Sequence, residues 1–211
     1  MRTILILNAK GGCGKSTIAT NLASYFATKS KSVALMDFDT QGSSLDWLKE
    51  RPRNRSPIQG IAGWKGNAPI PRKTEILILD VPANIHGKEL NELLRKAETA
   101  LIPVLPSPID MRAASHYITE LSKNNKVGSR KIKLGVIANR FKDYTRIAHT
   151  LDDYLKKLKI PVVAHLRDSQ NYIRAAERGL GVFEMAPYLV KPDLEQWAPL
   201  VKWLNSKRSM P

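Results

Sequence analysis

Residues 4–20 read ILILNAKGGCGKSTIAT, and the order of residue types in that stretch decides the architecture. Residues 4–7 are an unbroken apolar run of the kind that forms a strand covered on both faces. Beyond the turn, Ile18, Leu22, Ala23 and Phe26 recur at helical spacing, the start of an amphipathic helix. The turn between them carries Gly11, Gly12 and Gly14, which let the backbone take positive φ and bring its N–H groups close to an anion. Lys15 has the length to reach outer phosphates, and the Ser16 hydroxyl suits a Mg²⁺ ion. The helix that follows directs its unpaired N–H groups and partial positive charge at the same place. A nucleotide-phosphate cradle is therefore expected, made of Gly11, Gly12, Cys13, Gly14, Lys15, Ser16 and Thr17.

The rest of the chain repeats the strand-then-helix pattern. Residues 32–38 read as a second buried strand ending in Asp37-Phe38-Asp39, and Gly42-Ser43 turn the chain into a helix with Leu45, Trp47 and Leu48. Residues 51–74 hold four prolines and suggest a short edge strand near Ile58 within exposed loops. Further strands are expected at 75–83, 99–105, 132–138 and 161–164, with helices over 88–97, to about Asn125, from Asp143, over 169–178 and over 193–207. Such alternation argues for a doubly wound, mostly parallel α/β sheet of the P-loop NTPase type, with residues 1–211 as a single ATPase domain. In that architecture carboxylates at the C-terminal ends of strands face the ligand crevice. Asp39 is thereby placed to orient a water near a γ-phosphate, while capping of the next helix is the plainer role for Asp37 and Asp39.

The loop departs from the common G-x-x-x-x-G-K-[ST] spacing: its KGGCGKS core has a second lysine, Lys10, just before the glycines. In this it resembles the deviant Walker A motif of the ParA/MinD ATPases. Residues 37–43, DFDTQGS, are similar to that family's D-x-D-P-Q-G segment, with Thr40 in place of the proline. Asp80-Val81-Pro82 is similar to its Walker B and switch region, and LIPVLPSPIDMRAA to a segment of small ParF-like partition proteins. The resemblance covers nearly the whole chain. It implies a slow ATPase in which Lys10 reaches the nucleotide of a partner subunit, Lys15 grips the phosphates, Asp39 positions water, and Ser16, Asp39 and Asp80 serve Mg²⁺. It further implies that Asn139 approaches the adenine, that Arg112 lies at the dimer face, and that Arg146, Arg167 and Arg174 contact DNA. The implied partners are ATP with Mg²⁺, a second copy of the chain, nonspecific DNA, and a ParB-like or ribbon-helix-helix centromere-binding protein or other cargo adaptor.

Charge is consistent with a polyanionic partner. The formal net charge is +15 over 211 residues, and nucleic acid or an acidic membrane surface would answer it. The excess is spread, +6 before Pro106 and +9 after it, with two richer stretches at 49–73 and 123–146. Cys13 is the only cysteine, which rules out an intrachain disulfide and argues against an iron-sulfur reductase of the nitrogenase type. No apolar run approaches the roughly 18 residues of a membrane span, and the reading is of a cytoplasmic, nucleoid-associated protein. Two alternatives remain open. One is a MinD-like membrane-associated positioning ATPase using the 193–207 helix, against which packing of that helix on the sheet is the preferred reading. The other is a nonenzymatic DNA-coating protein.

Overall fold

The computed structural model describes residues 1–66, 68–83, 85–124, 127, 129, 131–141, 150–151, 153–154 and 160–211. Arg146, and most of the helix expected from Asp143, lie outside the described residues. Seven strands form one parallel sheet: β1 (Arg2–Ile6), β2 (Val33–Asp37), β3 (Ile58–Ala62), β4 (Ile76–Asp80), β5 (Thr99–Val104), β6 (Lys133–Phe141) and β7 (Val162–Arg167). Their order is β3-β2-β4-β1-β5-β6-β7. The central strand β1 has β4 on one side and β5 on the other. The chain first winds toward β3 and then crosses to β5, so the crevice at the C-terminal end of β1 falls at the change of winding direction.

Alternate side chains of each inner strand serve opposite faces. Ile4 and Ile6 join a core with α1 (Lys15–Thr28), Trp47 of α2 (Ser43–Lys49) and the last helix. Leu5 and Leu7 join another with α3 (Gly87–Lys96) and α4 (Pro108–Ser122). Both faces being covered, the inner strands carry apolar runs rather than alternation. Beyond β7 come α5 (Gln170–Ala176) and α6 (Pro187–Leu204).

Two expectations need correction. Helix α1 is not amphipathic in burial, because Asn21 and Ser24, on its polar side, are buried with the apolar residues. The reason is a chain segment laid over them: Val182 N donates to Asn21 Oδ1 at 2.8 Å, and Ser24 Oγ donates to Glu184 Oε2 at 2.8 Å. Helix α6 begins at Pro187, six residues before the expected start. Pro187 occupies the first turn, where its missing N–H is harmless. Pro192 and Pro199 inside the helix both face outward, seven residues apart, where water can serve the carbonyls they leave unpaired. The apolar stripe of α6 is spent on the interior: Val190, Trp197, Leu200 and Leu204 are fully buried, and Trp197 Nε1 donates to the Tyr172 hydroxyl at 2.9 Å. Among the described residues no helix is long and apolar enough to cross a membrane. The edge strand near Ile58 is present as β3, and among the described residues no helix stands between it and β4 beyond a single 3₁₀ turn at Gly63–Lys65.

Candidate nucleotide site

The glycine loop joins β1 to α1 at the C-terminal edge of the sheet. Gly12 and Gly14 hold φ of 75° and 92°, conformations that a side chain strongly disfavours. Gly14 is doubly constrained, since a Cβ there would lie 2.3 Å from Asn139 Nδ2. Gly11 and Gly12 face open space, a Cβ on either meeting nothing within 4 Å, so the loop can be approached closely on that side. Lys15 is buried, with its ammonium 3.3 Å from the Lys10 carbonyl. Cys13 is fully buried with its Sγ toward the same carbonyl, and burial pushes its thiol up from the ordinary range. Its packing role is thereby favoured over reactivity.

Lys10 points elsewhere. Its ammonium lies 3.5 Å from Asp110 Oδ1, and its side chain is 38% exposed. Asp110 is fixed at the start of α4, where Ser107 caps the helix by accepting from Asp110 N at 3.1 Å. A single half-exposed ion pair of this kind contributes about 1 kcal/mol or less, so an anion of higher charge can exchange with Asp110 for the lysine.

The two strand-end carboxylates of β2 differ in role. Asp37 is fully buried and accepts from Asp39 N at 2.9 Å and from Ser44 N at 3.0 Å, thereby serving the N-terminus of α2. Gly42, in the left-handed region, opens that helix and has no side chain to cap it. Asp39 is only half-buried and accepts locally from Gln41 N at 3.0 Å. The capping role therefore falls to Asp37, which leaves Asp39 facing the cleft.

Asp80 ends β4 and is 2% exposed. Its Oδ2 accepts from the Ser44 hydroxyl, while Oδ1 is buried with no hydrogen-bond partner among the described residues. Burial pushes the carboxyl up to about 6, with repulsion from Asp37 adding to the rise and hydrogen bonds from Ser44 and Ser16 and the charge of Lys15 opposing it. A buried acceptor left unpaired is costly. An orphaned carboxylate oxygen beside the Ser16 hydroxyl suits a hard divalent cation such as Mg²⁺. Among the described residues no group of three or more His, Cys, Asp or Glu converges to hold an ion. That fits a metal that keeps most of its water and takes further oxygens from phosphates.

A cleft of about 470 Å³ runs over the loop, lined by Gly11, Lys15, Ser16, Asp39, Gln41 and Arg140 among others. A second, of about 290 Å³, continues beside it between the loop and α5, with Asn139, Arg167, Asp168 and Tyr172 in its wall. Arg140 borders both, at a bulge in β6 where its φ is 52°. Neither Arg140 nor the Ser44–Asp80 bond was legible in the sequence. Asn139 sits in the wall of the second cleft, but its Nδ2 is committed to the Cys13 carbonyl at 2.8 Å. Arg167 also lines that cleft, and its guanidinium is tied to the buried Asp193 at 2.7 and 3.2 Å. Arg174 is exposed on α5.

A glycine loop with an inward lysine at the head of a helix, facing strand-end carboxylates on a parallel sheet, defines a P-loop nucleotide-binding protein. Residues 4–182 match the family described as the CobQ/CobB/MinD/ParA nucleotide binding domain, and the chain belongs to that family of P-loop ATPases. It is 47% identical over 190 residues to the chromosome-partitioning ATPase Soj of Thermus thermophilus, covering 74% of this chain and 76% of that one. It is 26% identical over 196 residues to the maintenance of carboxysome distribution protein A of Halothiobacillus neapolitanus, covering 87% of each. Among solved structures, an ATP complex of Cyanothece McdA superposes with a TM-score of 0.72 at 17% identity, over 95% of this chain and 96% of that one.

Proposed function

We propose that the chain is a ParA-type positioning ATPase whose Mg²⁺-ATP form is a dimer that binds DNA without sequence preference. Hydrolysis, stimulated by a ParB-like or other cargo-adaptor protein, then releases the dimer and moves plasmid or other cargo. The observation that carries this reading is the division of labour between two lysines: Lys15 is turned into its own loop, whereas Lys10 is turned out toward Asp110 and half-exposed. A lysine so placed is available to the nucleotide of a second subunit. Relatives named for chromosome partition and carboxysome distribution support a positioning role.

Within the site, the loop N–H groups and the first turn of α1 would bind the phosphates, and Lys15 would draw charge from them as the γ-phosphoryl group departs. Asp39 would hold the attacking water by accepting its proton in a hydrogen bond. Lys10 of the partner subunit would exchange Asp110 for phosphate and close the site against bulk water. Ser16 and Asp80 would hold Mg²⁺, with Asp39 close by, and the ion would supply neutralisation of phosphate charge. A DNA surface is favoured over a lipid one by α6, whose apolar stripe is buried.

The test is light scattering after size exclusion, with and without Mg²⁺-ATP, on the wild type and Lys10→Ala. The expected result is an ATP-dependent dimer that Lys10→Ala loses while it still binds nucleotide. A wild type that stays monomeric with ATP, or a variant that dimerises equally well, overturns the reading.

A further inference from the structure

Three loops meet at the end of the sheet opposite the nucleotide. Residues 29–32 precede β2, residues 52–57 precede β3 and residues 71–75 precede β4, and these three strands are hydrogen-bonded neighbours in parallel register. Val33 pairs with both Ile58 and Ile76, which brings the three loops to one edge. They surround a single groove of about 490 Å³ whose walls include Ser30, Lys31, Ser56 and Pro71. Strands of five residues separate this groove from the phosphate loop, or about 13 Å of sheet.

The sequences of the three loops are KSKS, PRNRSP and PRKTE. They contribute six cations, Lys29, Lys31, Arg53, Arg55, Arg72 and Lys73, all exposed, against one carboxylate. That carboxylate, Glu75, is already matched by Lys31 at 2.8 Å and by Ser32 N at 3.0 Å. Arg53, Arg55, Arg72 and Lys73 have no ion pair among the described residues. Four uncompensated cations stand on the loops that border the groove, outside its wall, which holds Lys31 and the exposed hydroxyl-bearing residues Ser30 and Ser56. Together they form a surface with the chemistry to receive phosphates.

We infer that the three-loop edge around this groove is the face that receives the sugar-phosphate backbone of duplex DNA. The inference rests on the DNA-binding reading above and assigns it a place. Single strands are disfavoured because none of the three loops has an aromatic side chain on which bases stack. A lipid surface is disfavoured because none of them carries an exposed large hydrophobic side chain to insert. Since the groove lies across the sheet from the phosphate loop, DNA and nucleotide do not compete for one pocket. Arg167, held by Asp193, is thereby relieved of a role in DNA contact.

The experiment measures fluorescence anisotropy of a labelled random-sequence duplex with Mg²⁺-ATP, titrated from 50 to 200 mM salt. It compares the wild type, Arg53→Gln/Arg55→Gln/Arg72→Gln/Lys73→Gln, and an equal charge change on the helices, Lys88→Gln/Arg95→Gln/Lys191→Gln/Lys202→Gln. Four phosphate contacts contribute about 3.6 to the slope of log affinity against log salt, so the loop variant should forfeit about a 100-fold change in affinity across that range. The helix variant should keep most of the wild-type slope. ATP-dependent dimerisation of the loop variant reports that it is folded. If the wild type binds duplex and the loop variant shows the same slope, the groove is not the DNA face, although DNA binding itself stands. If the wild type binds no duplex at all, both readings fail. Loss of binding to phosphatidylserine vesicles by the loop variant, with duplex binding unchanged, would hand the groove to a membrane instead.

Discussion

Replacing Asp80 by Asn should stabilise the protein in the absence of metal, which is the opposite of what removing a hydrogen-bonded buried side chain ordinarily does. The carboxyl is pushed from an ordinary 3.8 up to about 6, chiefly by burial. Below about 4 it is protonated in both folded and unfolded chains and contributes no pH dependence. Between about 4 and 6 the unfolded chain gives up the proton while the folded one keeps it, so stability falls as pH rises. Above about 6 the full penalty is present, at most about 3 kcal/mol by linkage. Asn keeps the shape and an acceptor for the Ser44 hydroxyl but carries no charge to desolvate. In EDTA at pH 7.5 the variant should therefore melt higher than the wild type, by up to about 10 °C for a chain of this size. The advantage should shrink as the pH is lowered toward 4. With Mg²⁺-ATP the order should reverse, because only the carboxylate gains from the cation. Differential scanning fluorimetry across pH, with and without Mg²⁺-ATP, reads all three. A variant less stable than the wild type at pH 7.5 in EDTA, or a difference that does not change with pH, would refute the account of Asp80 as an uncompensated buried charge.

Asn139→Ala removes the only side-chain donor to the Cys13 carbonyl among the described residues; it should cost about 1–3 kcal/mol in urea unfolding and weaken ATP and inorganic tripolyphosphate alike in calorimetry. A loss confined to ATP would show that Asn139 instead acts on the base. Arg51 and Glu184 form a two-pronged ion pair at 2.7 and 2.9 Å, with both side chains almost wholly buried. Arg51→Met should destabilise by about 3–5 kcal/mol by stranding Glu184, and restoring part of that with Glu184→Leu in the same chain is the check. Burial raises the Glu184 carboxyl, but hydrogen bonds from Arg51, Gly181 and Ser24 outweigh it and hold the group below its ordinary range. Its contribution is therefore present above about 4.5 and lost as pH falls further.

The sheet and the phosphate loop were legible because their signals are local. A buried run, a glycine turn and a lysine followed by Ser-Thr carry their reason within seventeen residues, and Asp39 and Asp80 follow from their position at strand ends. What escaped was set by contacts between segments far apart in sequence. Nothing near Asn21 or Ser24 announces that residues 181–184 will cover them, so α1 read as half-exposed. Similarly, Asn139 reads as a cleft residue, and only the fold brings its amide to the loop carbonyl 126 positions away. The expected start of α6 at residue 193 left out its first turns, which hold Pro187 and Pro192. The three basic loops are dispersed over residues 29–75, and it takes the pairing of β2 with both β3 and β4 to gather them.

The burial of α1 on every side has a mechanical consequence. The helix is packed tightly between a sheet and the 181–184 strap, with Gly181 close enough that a Cβ would sit 2.4 Å from Ser24 Oγ. In the proposed ATP cycle, a rearrangement on arrival or departure of a terminal phosphate then falls to the rim, residues 39–42 and 81–83, over a floor that stays still.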